Sequence, residues 1–368
     1  MRVLVLNWRD PRNPEAGGAE VHLHEIMRRA AAAGNEITQV SQAVEGLPQE
    51  EEIDGVRILR HGRRNTFNWT LKGFCRKLGL ESFDLVVEDL CKIPFYSPRW
   101  SATPVLVIVP HLFGTTAYRE VALPLALYVN VMEWPIPRVY SDSPFVAISE
   151  STRQDLVRRG IPSESIEVVP CGIDTDAYTP GPPKAEPGLL CFVGRVKRYK
   201  GVQHALQALH TLVQRKLDVR MAVVGSGDYL EQLRHLCRQL GLTDRVEFPG
   251  YVSHEEKVRW LRRSWAAVLP SEKEGWGLTV IEANACGTPV VASDSDGLRD
   301  SVRHGETGLL VPHGDEQALA EAIEELLRNP ETRAAMSRKA LAWAGGFDWD
   351  ATAARMISIM ERVAERGG

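Results

Sequence analysis

Short apolar runs alternate with amphipathic stretches along this chain, and the alternation starts twice. Runs at 3–6, 36–40, 85–87, 105–109 and 145–148 are apolar enough to be strands covered on both faces, as in a parallel sheet. Between them lie stretches of helical periodicity, such as 21–33. The segment 179–188 then brings four prolines, and it reads as a stiff linker. Strand-like runs resume at 189–193, 220–224, 246–248, 266–269 and 290–292, with helical patterns such as 229–240 and 317–327 filling the gaps. Strand and helix alternating in this way predict βαβ units. The expectation is an N-terminal Rossmann-like domain at 1–178, the linker at 179–188, and a second Rossmann-like domain at 189–347. A last helix at 348–368 either stays with the second domain or crosses back to the first. Two such halves facing each other leave a cleft at the carboxyl ends of their strands, where α/β proteins bind ligands.

Composition alters this picture little. The chain has 368 residues, long for one core, and its 44% hydrophobic and 25% charged content is that of an ordinary globular protein. A net charge of −4 provides no global pull towards nucleic acid, and no such partner is expected. Six cysteines (Cys75, Cys91, Cys171, Cys191, Cys237, Cys286) show neither a CxxC pair nor zinc spacing. Reduced thiols packed as small core residues, in a cytoplasmic protein, are expected. The opening strand runs straight into Asn7-Trp8-Arg9-Asp10, unlike a signal peptide. The most apolar stretch, 121–132, contains Pro124 and Asn130 and falls short of the roughly 20 apolar residues a membrane span needs.

Candidate chemistry sits at the predicted strand exits. Glu274-Gly-Trp-Gly-Leu-Thr-Val-Ile-Glu282 follows the run at 266–269. Gly275 and Gly277 let backbone amides approach a ligand, and a helix starting near Leu278 aims unpaired N–H groups at an anion. One element thus offers a carboxylate to sugar hydroxyls, amides to phosphates and a second carboxylate to a ribose diol. In Val193-Gly-Arg-Val-Lys-Arg-Tyr-Lys-Gly201 a buried run exits into four cations, and Arg195 and Lys200 are placed to converge on a diphosphate. Gly17 and Gly18 open the helix after the first strand, either as a phosphate notch or as a mere turn. His111 ends the run at 105–109, where a lone histidine gains interest only from its position. Val223-Val-Gly-Ser-Gly-Asp-Tyr-Leu230 imitates a dinucleotide fingerprint, but Leu230 replaces its third glycine, so it reads as a turn.

Taken together and in this order, these motifs resemble those of the family 4 retaining glycosyltransferases of the GT-B fold. Ala147-Ile-Ser-Glu-Ser-Thr152, Val169-Pro-Cys-Gly-Ile-Asp174 and Ala285-Cys-Gly-Thr-Pro-Val-Val-Ala292 extend the match over nearly the whole chain. The resemblance implies an α/β GT-B protein, two Rossmann-like domains facing across a cleft. It also implies retaining transfer of a hexose-type sugar from a UDP- or GDP-sugar to a glycan or lipid-linked acceptor, in cell-envelope glycan biosynthesis. The implied catalytic residues are His111, Glu274, Arg195 and Lys200, with His111 beside the transferring sugar and Glu274 on a sugar hydroxyl. Arg195 and Lys200 hold the diphosphate and Glu282 the ribose. Gly17, Gly18, Gly275, Trp276, Gly277, Leu278 and Thr279 complete the donor contacts. No cofactor and no metal are expected. Asp294-Ser-Asp296 has the spacing of a metal motif but reads as a loop beside the donor. Trp276 stands where phenylalanine is commoner and Cys171 where asparagine is usual, which leaves any family role of that side chain open. The alternatives are a GT-B nucleotide-sugar epimerase and a non-catalytic nucleotide-sugar-binding protein. A phosphorylase would need a pyridoxal phosphate lysine and a longer chain.

One segment bears on location. Seven basic residues and no acid lie at 57–77 (Arg57, Arg60, Arg63, Arg64, Lys72, Arg76, Lys77), interleaved with Phe67, Trp69, Leu71 and Phe74. Such a mixture suits peripheral contact with the inner face of an anionic membrane. It equally suits a solvated loop and helix with core-facing aromatics. The apolar stretch at 121–131 either lines an acceptor groove or packs the first core.

Overall fold

The computed structural model describes residues 1–114, 123–182, 184 and 188–366. Residues 121–122 of the apolar stretch and residues 183 and 185–187 of the expected linker lie outside the described residues. The chain divides into two compact units, Met1–Gly172 with Trp349–Gly368, and Ile173–Asp348.

The first unit is built on β1 (Arg2–Leu6), β2 (Glu36–Gln42), β3 (Glu50–Ile53), β4 (Val56–His61), β5 (Leu85–Asp89), β6 (Val105–Val109), β7 (Phe145–Ala147) and β8 (Ile166–Val168). Their order across the sheet is β3-β4-β2-β1-β5-β6-β7-β8. All neighbours are parallel except β3 and β4, which form an antiparallel hairpin. Residues 3–6 of β1 are fully buried, which explains their unbroken apolar run. Leu4 and Leu6 pack with Phe67 and Leu71. Val3 and Val5 belong to a second cluster with Leu23, Ile26 and Met27 of helix Gly18–Ala32. Met356, Ile359 and Met360 of helix Trp349–Glu365 complete that cluster, so the last helix crosses back to the first unit's core.

The second unit carries β9 (Leu189–Val193), β10 (Arg220–Val224), β11 (Val246–Gly250), β12 (Ala266–Leu269), β13 (Val290–Ser293) and β14 (Gly308–Val311). These strands are parallel in the order β11-β10-β9-β12-β13-β14. The stretch expected to be a stiff linker between the domains is fastened to this unit at Thr179 and Lys184. Arg262 Nε donates to the Thr179 carbonyl at 2.7 Å, and Lys184 Nζ reaches Thr288 Oγ1 at 2.6 Å. The division between units falls earlier, between Gly172 and Ile173. Prolines stiffen the segment, but Arg262 still reaches the Thr179 carbonyl and hydroxyl oxygens, and the segment's own Lys184 reaches out to Thr288.

In each sheet the strand order turns back at one place, between β1 and β5 in the first unit and between β9 and β12 in the second. Strand ends diverge there and leave a crevice at their carboxyl side. No described helix is long and apolar enough to cross a membrane, and all six cysteines are free and buried.

Candidate functional site

The switch point of the second unit gathers most of the candidate residues. After β9 the chain turns through Arg198–Lys200 into helix Val202–Gln214, and after β12 it runs to Glu274. Gly201 makes the approach of these two loops possible. Its φ is 72°, and a Cβ there would lie 2.0 Å from the Pro270 carbonyl oxygen. Backbone bonds then hold the loops: Glu272 N–H donates to the Tyr199 carbonyl at 2.8 Å and Glu274 N–H to the Asp296 carbonyl at 3.0 Å. The result is a contact between Lys200 Nζ and Glu274 Oε1 at 2.5 Å, with both side chains mostly shielded from solvent. Burial opposes the charge on Lys200, but the Glu274 carboxylate more than offsets it and raises the ammonium pKa. Arg195 is exposed on the same loop.

Glu282 lies on helix Leu278–Ala285, whose first turn supplies Leu278 and Thr279 and whose cap is Gly277. Its Oε1 accepts from the Tyr178 hydroxyl at 2.7 Å and from Lys257 Nζ at 2.7 Å. The Lys257 ammonium also sits 5.1 Å from the centre of the Tyr178 ring. Burial and the neighbouring Glu282 charge push the Tyr178 phenol pKa well up. Sequence reasoning missed both partners. Tyr178 abuts the proline-rich stretch, and Lys257 is one of many charges on helix His254–Arg263, so only folding singles them out.

One expectation changes in detail, and two neighbouring segments gain a structural role. The Trp276 indole, expected among the donor contacts, is buried edge-to-face against Phe347 with centroids 5.3 Å apart, which leaves it little surface to offer a ligand. The glycines of the fingerprint-like turn serve packing: Val196 N–H donates to the Ser226 carbonyl at 2.9 Å, and a Cβ on Gly227 would sit 2.0 Å from the Val196 oxygen. That turn therefore braces the Arg195 loop. Arg299 holds the carboxylates of Asp294 and Asp296 at 2.9 and 3.3 Å. Among the described residues no group of three or more His, Cys, Asp and Glu side chains could hold a metal ion.

In the first unit, Gly17 caps helix Gly18–Ala32, and its N–H donates at 2.7 Å to the Glu20 carboxylate. The amide expected to meet a phosphate is thus already bonded within the chain. His111 is half-buried beyond β6, its ring edge-to-face with Phe113 at 5.5 Å. Glu133 fixes that loop by accepting from the N–H groups of Phe113 and Gly114 at 2.8 and 2.9 Å and from Arg159 at 3.0 Å.

The basic run at 57–77 is not one stripe. Arg60 is buried and forks onto Asp10 at 2.7 and 2.8 Å. Burial works against the Asp10 charge, but Arg60 outweighs it and lowers the carboxyl pKa. Arg57 pairs with Glu50 and Arg64 with Glu15. Phe67 and Leu71 are core residues, whereas Trp69 is 72% exposed. Arg63, Lys72, Arg76 and Lys77 remain as exposed cations.

Comparison with known proteins bears on the family and the fold. Residues 178–343 match the family model for glycosyl transferases group 1, and residues 16–177 match that for glycosyltransferase family 4. The chain is 31% identical to the D-inositol 3-phosphate glycosyltransferase of Frankia alni, with 93% of this chain and 94% of that protein covered. It is 34% identical to the D-inositol 3-phosphate glycosyltransferase of Xylanimonas cellulosilytica, with 97% and 94% covered. Among solved structures, sucrose-phosphate synthase from Thermosynechococcus elongatus superimposes with a TM-score of 0.83 at 23% identity over 98% of both chains. WaaG, a glycosyltransferase of lipopolysaccharide biosynthesis, does so with a TM-score of 0.78 at 17% identity over 97% of this chain and 99% of that one. At these identities the likeness is one of fold, that of GT-B.

Proposed function

The chain belongs to the family 4 glycosyltransferases, and from that premise we propose that it is a retaining, metal-independent hexosyltransferase. It uses a UDP- or GDP-sugar and a glycan or lipid-linked acceptor. The observation that carries this reading is the Lys200–Glu274 contact at the β9/β12 switch point, with Glu282 anchored nearby by Tyr178 and Lys257. Glu282 binds the donor ribose, Lys200 and Arg195 the diphosphate, and Glu274 a sugar hydroxyl. Gly275, Gly277, Leu278 and Thr279 offer backbone at the helix start, and His111 contacts the transferred sugar. An acceptor hydroxyl oxygen bonds to the anomeric carbon on the face from which the diphosphate leaves. The bond from that carbon to the phosphate oxygen breaks, and a phosphate oxygen takes the acceptor proton. Lys200, kept charged by Glu274, neutralises the departing charge together with Arg195, the task a metal ion performs in other transferases.

The names of the relatives favour a polyol phosphate as the second acceptor reading. The exposed cations Arg63, Lys72, Arg76 and Lys77, with Trp69 among them, support peripheral contact with an anionic membrane from the cytoplasmic side. Cosedimentation with anionic and neutral vesicles distinguishes that contact from a purely soluble enzyme.

The testing experiment is donor turnover with UDP- and GDP-hexoses in excess EDTA, for the wild-type protein and Lys200→Ala. Turnover with retained anomeric configuration is expected to survive the chelator and to fall roughly 10²–10³-fold in the variant, the effect of removing one transition-state charge partner. Near-wild-type turnover by a folded Lys200→Ala protein removes the clamp from the reading, and loss in EDTA restored by Mn²⁺ removes metal independence.

A further inference from the structure

The first unit has a crevice at its own switch point, between the carboxyl ends of β1 and β5. A cavity of about 550 Å³ lies there, lined on one side by Trp8 and Arg9 beyond β1 and by Lys92 beyond β5. Trp8 forms a fixed floor: its indole N–H donates to the Ile93 carbonyl at 2.9 Å, and its ring stacks on Phe95 at 5.4 Å. Arg64 comes from the turn before helix Phe67–Lys77 and Trp69 from its first turn, and Leu125 and Val129 come from helix Leu123–Glu133. Folding thus brings the basic segment and the apolar stretch, far apart in sequence, to the two sides of one cavity. Phe113, packed on His111, also lines it.

The two sides differ in chemistry. The charged residues among the described lining are Arg9, Arg64 and Lys92, with no carboxylate. Just behind them, Glu15 is shared by Arg9 and Arg64, Glu20 lies 3.5 Å from Lys92, and burial, with the Glu20 charge, pushes the Asp89 carboxyl pKa well up. The opposite wall belongs to a helix that is apolar on every side, yet of which only Ala126 and Glu133 are buried. Leu123, Leu125, Leu127 and Val131 are all exposed on it. A helix apolar all round ordinarily sits in a core or in lipid, and such an exposed surface marks a binding site.

We propose that this cavity is the acceptor site and that the acceptor is an amphiphile. Its phosphoryl head meets Arg9, Arg64 and Lys92, and its hydrocarbon chain lies along Trp69, Leu125 and Val129. This rests on the reading of the chain as a glycosyltransferase and narrows its acceptor to the lipid-linked class. A polyol phosphate would use the cations and leave the apolar wall uncovered, whereas every methylene buried on that wall strengthens the binding of an amphiphile.

The test is calorimetric titration of the full chain with monomeric decyl phosphate, decanol, inorganic phosphate and inositol phosphate, with UDP and GDP titrated separately. Decyl phosphate is expected to bind at least tenfold more tightly than the other three acceptor-side probes. Trp69→Ala with Leu125→Ser, both at exposed positions, should weaken decyl phosphate roughly tenfold and leave nucleotide binding unchanged, and Arg64→Ala should weaken it without touching nucleotide. Equal binding of decyl phosphate to wild type and to the apolar-wall variant overturns the proposal. So does inositol phosphate binding as tightly as decyl phosphate, or binding to anionic vesicles with none to the monomer. Nucleotide binding without decyl phosphate binding would sink this inference alone. Decyl phosphate binding without nucleotide binding would instead sink the donor-site reading.

Discussion

His22 lies fully buried in helix Gly18–Ala32, packed against Trp349 with ring centroids 6.0 Å apart, and among the described residues neither ring nitrogen has a hydrogen-bond partner. Burial without a partner lowers its pKa from 6.5 to about 4. Lys200 is similarly shielded, yet there an acid facing the group reverses the outcome. The unfolded chain therefore binds a proton at His22 that the folded chain refuses between pH 6.5 and about 4. Its contribution to stability is whole above pH 6.5 and is lost as pH falls through that window. At 1.36 kcal/mol per unit, the loss approaches about 3 kcal/mol. Urea titrations across this range should show wild type weakening more steeply than His22→Phe, and parallel curves would mean that His22 is accessible or partnered in solution.

The loops after β9 and β12 act together because glycine lets them touch. Gly201→Ala would strain a left-handed backbone and drive a methyl into the Pro270 carbonyl. Gly314 is the control, with a φ of 79° and nothing within 4 Å of an added Cβ. Gly314→Ala should cost about 1 kcal/mol for the backbone alone. Gly201→Ala should cost several times as much and weaken nucleotide binding as well, because the Lys200–Glu274 contact depends on the same approach. Equal denaturation midpoints for the two variants would show that the loops do not need their close packing. The β3–β4 hairpin rests on local chemistry of the same kind. Glu50-Glu51-Glu52 lacks apolar alternation, but Asp54-Gly55, both at positive φ, is a strong hairpin turn signal.

Each unit has its own sheet, and the chain's last helix completes the first. Met356 is fully buried with Val3, Ile26 and Met27, residues more than three hundred positions away in sequence. Met356→Ala should destabilise the first unit by about 2–5 kcal/mol. Hydrogen exchange locates the effect: protection is expected to fall in β1 and β2 and to persist in β9 and β12. Uniform loss across both sheets would contradict separate cores.

Much of this was legible in the residues alone. The central strands 3–6, 105–109, 189–193 and 266–269 announced themselves because strands buried on both faces must be apolar throughout. Arg195, Lys200, Glu274 and Glu282 stood out because a strand exit or a helix start is where backbone and charge can meet an anion. Less was legible wherever partners come from distant segments. Edge strands such as β8 and β14 are too short to carry a pattern. Arg60 looked like part of a basic surface, but Asp10 takes it into the interior. Tyr178 and Lys257 gain meaning only from Glu282. The apolar helix and the basic segment became one cavity only when β1 and β5 set them side by side. Local pattern reports the burial a segment demands, whereas the identity of its partner follows from how the strands are ordered.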